Sequence, residues 1–205
     1  MDYLTRFMSG TSVEDAFQVS LKGALRIHAE ELAAKLIKNI KGLDNDSIID
    51  AVKLAGFDVC VRNSPMAYKP IEDIQPDAPT IQNVHAMVER SLHFLEIYGP
   101  KVLDGFDFEG GYTRVVSSGD GDFTTADTLW DFKTAKTPIK KEHTLQLLMY
   151  WRMGLHSIHP EFGRIKYLGI YNPRMNTVYR IAVQDISDEV IQEVEREVIG
   201  YESGV

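Results

Sequence analysis

Apolar residues return at helical spacing over long stretches of this chain and at alternate positions over short ones. From Val13 to about Ile40 the residues Ala16, Phe17, Leu21, Ala24, Leu25, Leu32, Leu36 and Ile40 keep a helical period. Ser12 offers an N-cap before that stretch, and Gly42 a stop after it. Residues 1–12 read as an arm. A second helix is predicted over Ser47–Ala55, and the alternation of Phe57–Arg62 predicts a short strand. Two prolines in Ile74–Thr80 mark the best internal boundary. A helix over Ile81–Tyr98 follows, with Val84, Val88, Leu92 and Leu95 as its buried stripe and Gly99-Pro100 as its end.

The second half changes period. Phe106–Glu109 and Tyr112–Ser117 flank Gly110-Gly111 and read as two strands joined by a turn. Asp122–Thr125 and Thr128–Thr134 read as the arms of a hairpin turning at Ala126-Asp127. Thr137-Pro138 is the predicted start of a helix that ends near Gly154. Strands over Ile165–Tyr171 and Val178–Val183, joined through Asn172-Pro173-Arg174, come next. An amphipathic helix over Ile186–Tyr201, capped at Ser187 or Asp188, closes the chain. The expectation is an α/β protein with a mixed central sheet flanked by helices over residues 80–205, and a mostly helical subdomain over 1–79.

The hairpin carries the candidate chemistry. Asp131 and Lys133 are two apart in a strand and so share a face, with Trp130 and Phe132 on the other. If Ala126-Asp127 is the turn, Asp122 lies directly across from Asp131. Facing carboxylates in a strand pair are unfavourable unless something positive lies between them. A bound divalent cation would answer that, and hard oxygen donors suit Mg²⁺ or Mn²⁺. On this reading the protein stripped of its ion should gain stability from Asp122→Asn. A three-residue turn would instead move Asp122 to the other face and make Asp120 the rival first acid.

Asp122 followed by Asp131-Phe132-Lys133, with Gln146-Leu147-Leu148-Met149-Tyr150 downstream, resembles the PD-(D/E)XK nuclease superfamily. The Q-x-x-x-Y spacing of Gln146 and Tyr150 is similar to its RecB-type and lambda-exonuclease-like branch. The resemblance spans about residues 80–200 and implies a restriction-endonuclease-like core acting on phosphodiester bonds, DNA rather than RNA. It implies Asp122 and Asp131 as Mg²⁺ or Mn²⁺ ligands, joined by the backbone carbonyl of Phe132. It also implies a ligand from the preceding helix, for which His85 and Glu89 are the candidates. The alternative for those two is an i,i+4 surface pair. Lys133 would offset transition-state charge, and Gln146 and Tyr150 would position water or phosphate. Phage recombination, DNA repair and defence are settings implied by the resemblance alone. The competing reading is a non-catalytic nucleic-acid-binding or interaction module that keeps the fold.

Charge and composition adjust this picture. The net charge of −8 argues against a nucleic-acid binder, but between Asp131 and Arg180 nine Lys or Arg face three Asp or Glu. That segment carries +6 and leaves −14 for the rest. Lys136, Lys140, Lys141, Arg152 and Arg174 are therefore the candidate phosphate contacts. The one cysteine, Cys60, rules out a four-cysteine iron–sulfur cluster and reads as a small buried residue. No apolar run approaches a membrane span, and the basic start of a signal peptide is missing, so a reducing cytoplasm is the expected compartment. The sequence leaves a homo-oligomer open.

Overall fold

A computed structural model describes residues 1–202 and divides the chain into two compact units, one of residues 1–93 and one beginning at Phe94. The first unit is helical among its described residues: α1 (Asp2–Met8), α2 (Val13–Ala16), α3 (Gln18–Arg26), α4 (Glu30–Asn39), α5 (Asn45–Ala55), α6 (Val59–Arg62) and the greater part of α7 (Ala78–Tyr98). Its core gathers Leu4, Phe17, Leu36, Ile48, Leu54, Phe57 and Val88.

Several local expectations change here. Residues 1–12 are no loose arm, because α1 buries Leu4 and hydrogen-bonds Asp58 through the Tyr3 hydroxyl. Seven residues hold a helix through such packing rather than through propensity. The stretch 13–40 is three helices, broken at Phe17 and at His28, whose φ is +57°. Short breaks leave the apolar period intact, so periodicity does not reveal them. Phe57–Arg62 is helical as well: the buried residues are Phe57 and Cys60, three apart rather than two. Cys60 is buried, as expected. The helix expected from Ile81 starts at Ala78, with the Asp77 carboxylate accepting the Thr80 N–H at 2.9 Å.

The second unit is a five-stranded mixed sheet flanked by helices. Its strands are β1 (Leu103–Phe106), β2 (Gly121–Thr124), β3 (Thr128–Phe132), β4 (Tyr167–Asn172) and β5 (Thr177–Ala182), in spatial order 1-2-3-4-5. Only β3 and β4 run parallel. Their connection carries α8 (Lys141–Leu155), as a parallel crossover requires. α8 lies on one face, packing Leu147, Leu148 and Trp151 with Leu129, Leu168 and Ile170. A closing helix, α9 (Asp188–Glu193) running on through a π-helical stretch to Ile199, adds Val194 and Ile199 to that cluster.

The other face holds Phe94 among Phe123, Trp130 and Tyr171, with ring centroids 4.7 Å from Trp130 and 4.3 Å from Tyr171. Gly169 makes room for Trp130, since a Cβ there would come within 2.3 Å of the indole. Among the described residues no helix is long and apolar enough to cross a membrane.

Three expectations are corrected in this unit. Phe106–Glu109 is strand only at Phe106, where β1 ends, and the Gly111 N–H turns back to the Phe108 carbonyl at 2.8 Å. Tyr112–Ser117 is not a strand: the Thr113 side chain and a Thr113 N–H to Val116 carbonyl bond close a local turn. Its backbone groups are satisfied there rather than in a ladder. α8 begins at Lys141 rather than at Pro138, because the His143 ring accepts the Lys140 N–H at 3.2 Å and supplies the cap.

Candidate active site

The hairpin turn is the two-residue form. The Thr125 N–H meets the Thr128 carbonyl at 2.9 Å, so Ala126-Asp127 forms the loop, and Phe123 and Trp130 are paired. Continuing that register by one step sets Asp122 opposite Asp131 and removes the case for Asp120 as first acid. Phe123 and Trp130 lie in the aromatic cluster on one face. Asp122 and Asp131, each one residue away, therefore turn toward the face that α8 covers.

Asp131 is 6% exposed. The Lys133 ammonium lies 2.9 Å from each of its carboxylate oxygens, but only Oδ1 meets it in hydrogen-bonding direction. Oδ2 is buried without a hydrogen bond. Burial pushes the Asp131 pKa up, against the opposing pull of Lys133 and of His143 on the first turn of α8. Asp122 sits half-buried, and its Oδ2 accepts the Phe132 N–H at 2.6 Å. Each carboxylate has a hydrogen-bond partner of its own, and these contacts oppose the repulsion expected between the pair. Lys133 already supplies a positive charge at Asp131.

From Lys133 the network reaches α8. The ammonium donates to Gln146 Oε1 at 3.0 Å, and Gln146 Nε2 donates to the Tyr150 hydroxyl at 2.9 Å. An ammonium only donates, which fixes the amide orientation: oxygen to Lys133, nitrogen to Tyr150. Gln146 and Tyr150 are four apart and so meet on one helical face. Burial raises the Tyr150 pKa, so its hydroxyl stays protonated and keeps its own O–H to donate. The five residues named from the hairpin and the Q-x-x-x-Y pattern thus converge on one face of the sheet.

The other candidates have surroundings of their own. His85 and Glu89 lie on α7 in the first unit, where the imidazole Nδ1 is 3.2 Å from the Glu89 carboxylate. Glu89 is exposed and His85 half-buried, and the two form the i,i+4 pair that was the alternative for them. Lys136, Lys140, Lys141 and Arg174 are exposed. Arg152 is committed elsewhere: its Nη2 and Nε lie 2.6 and 2.7 Å from Glu195 Oε1, and the guanidinium stacks over Trp151.

Some supporting residues gave no signal in the sequence. The Lys133 N–H bonds the Tyr171 carbonyl at 3.0 Å, and the buried Asn172 amide donates to the Ala135 carbonyl at 2.8 Å. Together they pin the backbone that carries Lys133 to the end of β4. The Tyr112 hydroxyl accepts the Phe108 N–H at 3.0 Å and donates to the Gly119 carbonyl at 3.1 Å. That fixes Phe108, whose ring lies 4.7 Å from that of Tyr150. The Asn172 bond spans 37 residues, and the Tyr112 bonds follow no helical or strand period.

Among the described residues no group of three His, Cys, Asp or Glu side chains could hold a metal ion. A Zn²⁺ site or an all-protein Ca²⁺ cage would need such a group. Two carboxylates are a different case, because Mg²⁺ keeps several waters and is held by one or two carboxylates plus substrate phosphate. Asp131 Oδ2, which accepts no hydrogen bond although the Lys133 ammonium is 2.9 Å away, lies across from Asp122 and fits that donor set. Comparisons of the chain with protein-family models, curated proteins and solved structures find no match.

Proposed function

We propose that this chain is a divalent-metal-dependent nuclease of the PD-(D/E)XK type, of the RecB-like and lambda-exonuclease-like kind, hydrolysing phosphodiester bonds in DNA. One observation carries the reading: Asp122, Asp131, Lys133, Gln146 and Tyr150 meet on one face, with one buried carboxylate oxygen that accepts no hydrogen bond. Asp122 and Asp131 would hold Mg²⁺ or Mn²⁺. Such an ion, when bound, makes water a nucleophile near neutral pH and withdraws charge from the phosphate.

The chain's own side chains do the rest. The Lys133 ammonium stands beside the carboxylates, where it can orient the attacking water and offset charge developing on the phosphate oxygens. Gln146 fixes that ammonium through Oε1 and is itself held by Tyr150. Exposed Lys136, Lys140 and Lys141 would neutralise backbone phosphates, with the positive end of the α8 dipole adding to the attraction.

The test is incubation with linear and circular DNA, single- and double-stranded, in Mg²⁺, Mn²⁺ or EDTA. Cleavage is expected with metal and not with EDTA. Asp131→Asn should abolish it, and Lys133→Ala should slow it about a hundredfold or more, the usual effect of losing one transition-state charge contact. Wild-type rates in Lys133→Ala would sink the assignment.

A second reading, a non-catalytic nucleic-acid-binding module, is favoured by the Lys133–Asp131 pair, which partners the buried acid without an ion. Salt-sensitive DNA binding with no cleavage under any condition would select it.

A further inference from the structure

We infer that Lys133 is a latch on the cation site. Its ammonium holds Asp131 closed, and a divalent ion gains that carboxylate only by displacing it. The inference rests on the cation reading of Asp122 and Asp131, and it assigns how that site is controlled.

The geometry sets up a competition. The ammonium is 2.9 Å from both oxygens of a carboxylate whose side chain is 8% exposed. A small hard cation binds a carboxylate oxygen at about 2.0–2.1 Å and repels a unit positive charge a few ångströms away. The two cations cannot share Asp131 on equal terms.

Lys133 has a second acceptor to fall back on. Gln146 Oε1 lies 3.0 Å away and is held in orientation by the Tyr150 hydroxyl. It is neutral, so the ion does not compete for it as it does for Asp131. The Lys133 side chain is 23% exposed, and its flexible four-carbon stem lets the ammonium swing without moving the backbone. The backbone stays fixed to Tyr171.

Two consequences follow. The buried carboxylate has a counter-charge during folding, so no unpaired charge is sealed inside before an ion arrives. The ammonium also becomes available to a phosphate only after the ion has taken Asp131. Loading is therefore ordered, ion first and substrate second, by one salt bridge.

Calorimetric titration with Mn²⁺ alone tests this on the wild type, Lys133→Met and Asp131→Asn. Wild type should bind, Asp131→Asn should not, and Lys133→Met should bind about tenfold or more tightly than wild type, having lost one nearby positive charge. Binding by Lys133→Met alone would mean a latch strong enough to exclude the ion, and supports the inference. Equal or weaker binding by Lys133→Met, with Asp131→Asn still inactive, overturns the latch and leaves the cation site standing. No binding by wild type or Lys133→Met removes the cation reading and the latch with it.

A measurement on the wild type guards against a misfolded Lys133→Met. With ¹⁵N-labelled lysine, the Lys133 ammonium should exchange its protons slowly without metal and several-fold faster once Mg²⁺ is added. Unchanged exchange while the Asp131 carboxyl carbon resonance shifts would show that the ion binds without moving the latch, and overturns it.

Discussion

Asp122→Asn, measured in EDTA, asks whether the facing carboxylates repel or are already satisfied. Asp122 Oδ2 accepts the Phe132 N–H at 2.6 Å, a charge-assisted bond. Asparagine keeps an acceptor oxygen but loses the charge. Bonds to charged groups contribute ~1.5–3 kcal/mol against ~0.5–1.5 for neutral ones, so the loss is about 1 kcal/mol. Relief of cross-strand repulsion returns ~0.2–1 kcal/mol. The low end applies, because the Lys133 ammonium already offsets Asp131. The balance is roughly 0–1 kcal/mol of destabilisation. At ~2–4 °C per kcal/mol for a chain of this size, the variant should melt between level with wild type and about 4 °C below it. Asp122→Ala strips the acceptor entirely and leaves the Phe132 N–H unpartnered, at a cost of ~1–3 kcal/mol. Both tryptophans, Trp130 and Trp151, belong to the second unit, so tryptophan fluorescence follows the melting of that unit alone. An Asp122→Asn protein that melts clearly above wild type in EDTA would refute the reasoning. It would mean that repulsion dominates and that Lys133 does not neutralise its neighbour.

Tyr150→Phe removes the acceptor of the Gln146 amide. It should lower the cleavage rate about tenfold for ~1 kcal/mol of stability, and a lower melting point at an unchanged rate would reduce Gln146 and Tyr150 to packing residues. Arg152→Ala breaks a part-buried pair with Glu195 and should cost ~1–2 kcal/mol, discounted for exposure, without altering the salt dependence of DNA binding. Lys140→Ala and Lys141→Ala should each reduce that slope by about 1 instead. An equal drop in Arg152→Ala would place its guanidinium on phosphate. In the first unit, burial and the hydrogen bond to Asp58 push the Tyr3 pKa up to about 12. Its contribution to stability is complete below about pH 10, the unfolded value, and is lost as pH rises through about 12. In an absorbance titration Tyr3→Phe should remove one tyrosine from those that ionise late, and a late phase unchanged in Tyr3→Phe would contradict this.

How much of this was readable depended on the range of the interaction involved. The hairpin was legible because a two-residue turn fixes the register by itself, and the register fixes the face. Gln146 and Tyr150 were legible because residues four apart on a helix meet whatever surrounds them. The break at His28 was hidden, since nothing in the apolar period marks a left-handed residue there. Phe57–Arg62 misled because six residues fit both periods, and only the joint burial of Phe57 and Cys60 decides for a helix. The start of α8 was misplaced because a histidine ring can cap where Thr137 was expected to. Asn172, 37 residues from Ala135, and Tyr112, in an irregular loop, support the site through bonds that have no sequence period.

Charge repulsion alone does not call for a metal. Two carboxylates facing each other require positive charge, but the requirement does not say whose. A D-x-K strand carries its own answer. Residues two apart share a face, and the lysine is long enough to fold back on its aspartate, as Lys133 does on Asp131. Such a pattern can therefore satisfy its buried acid and fold without any ion. The case for a cation has to come from what the lysine leaves over. Here that remainder is specific: Asp131 Oδ2 is buried with no hydrogen bond, and the one ammonium is shared with Gln146 rather than given wholly to the acid. An ammonium has three N–H groups to place, and the one on Gln146 keeps Lys133 at the site if the carboxylate is given up.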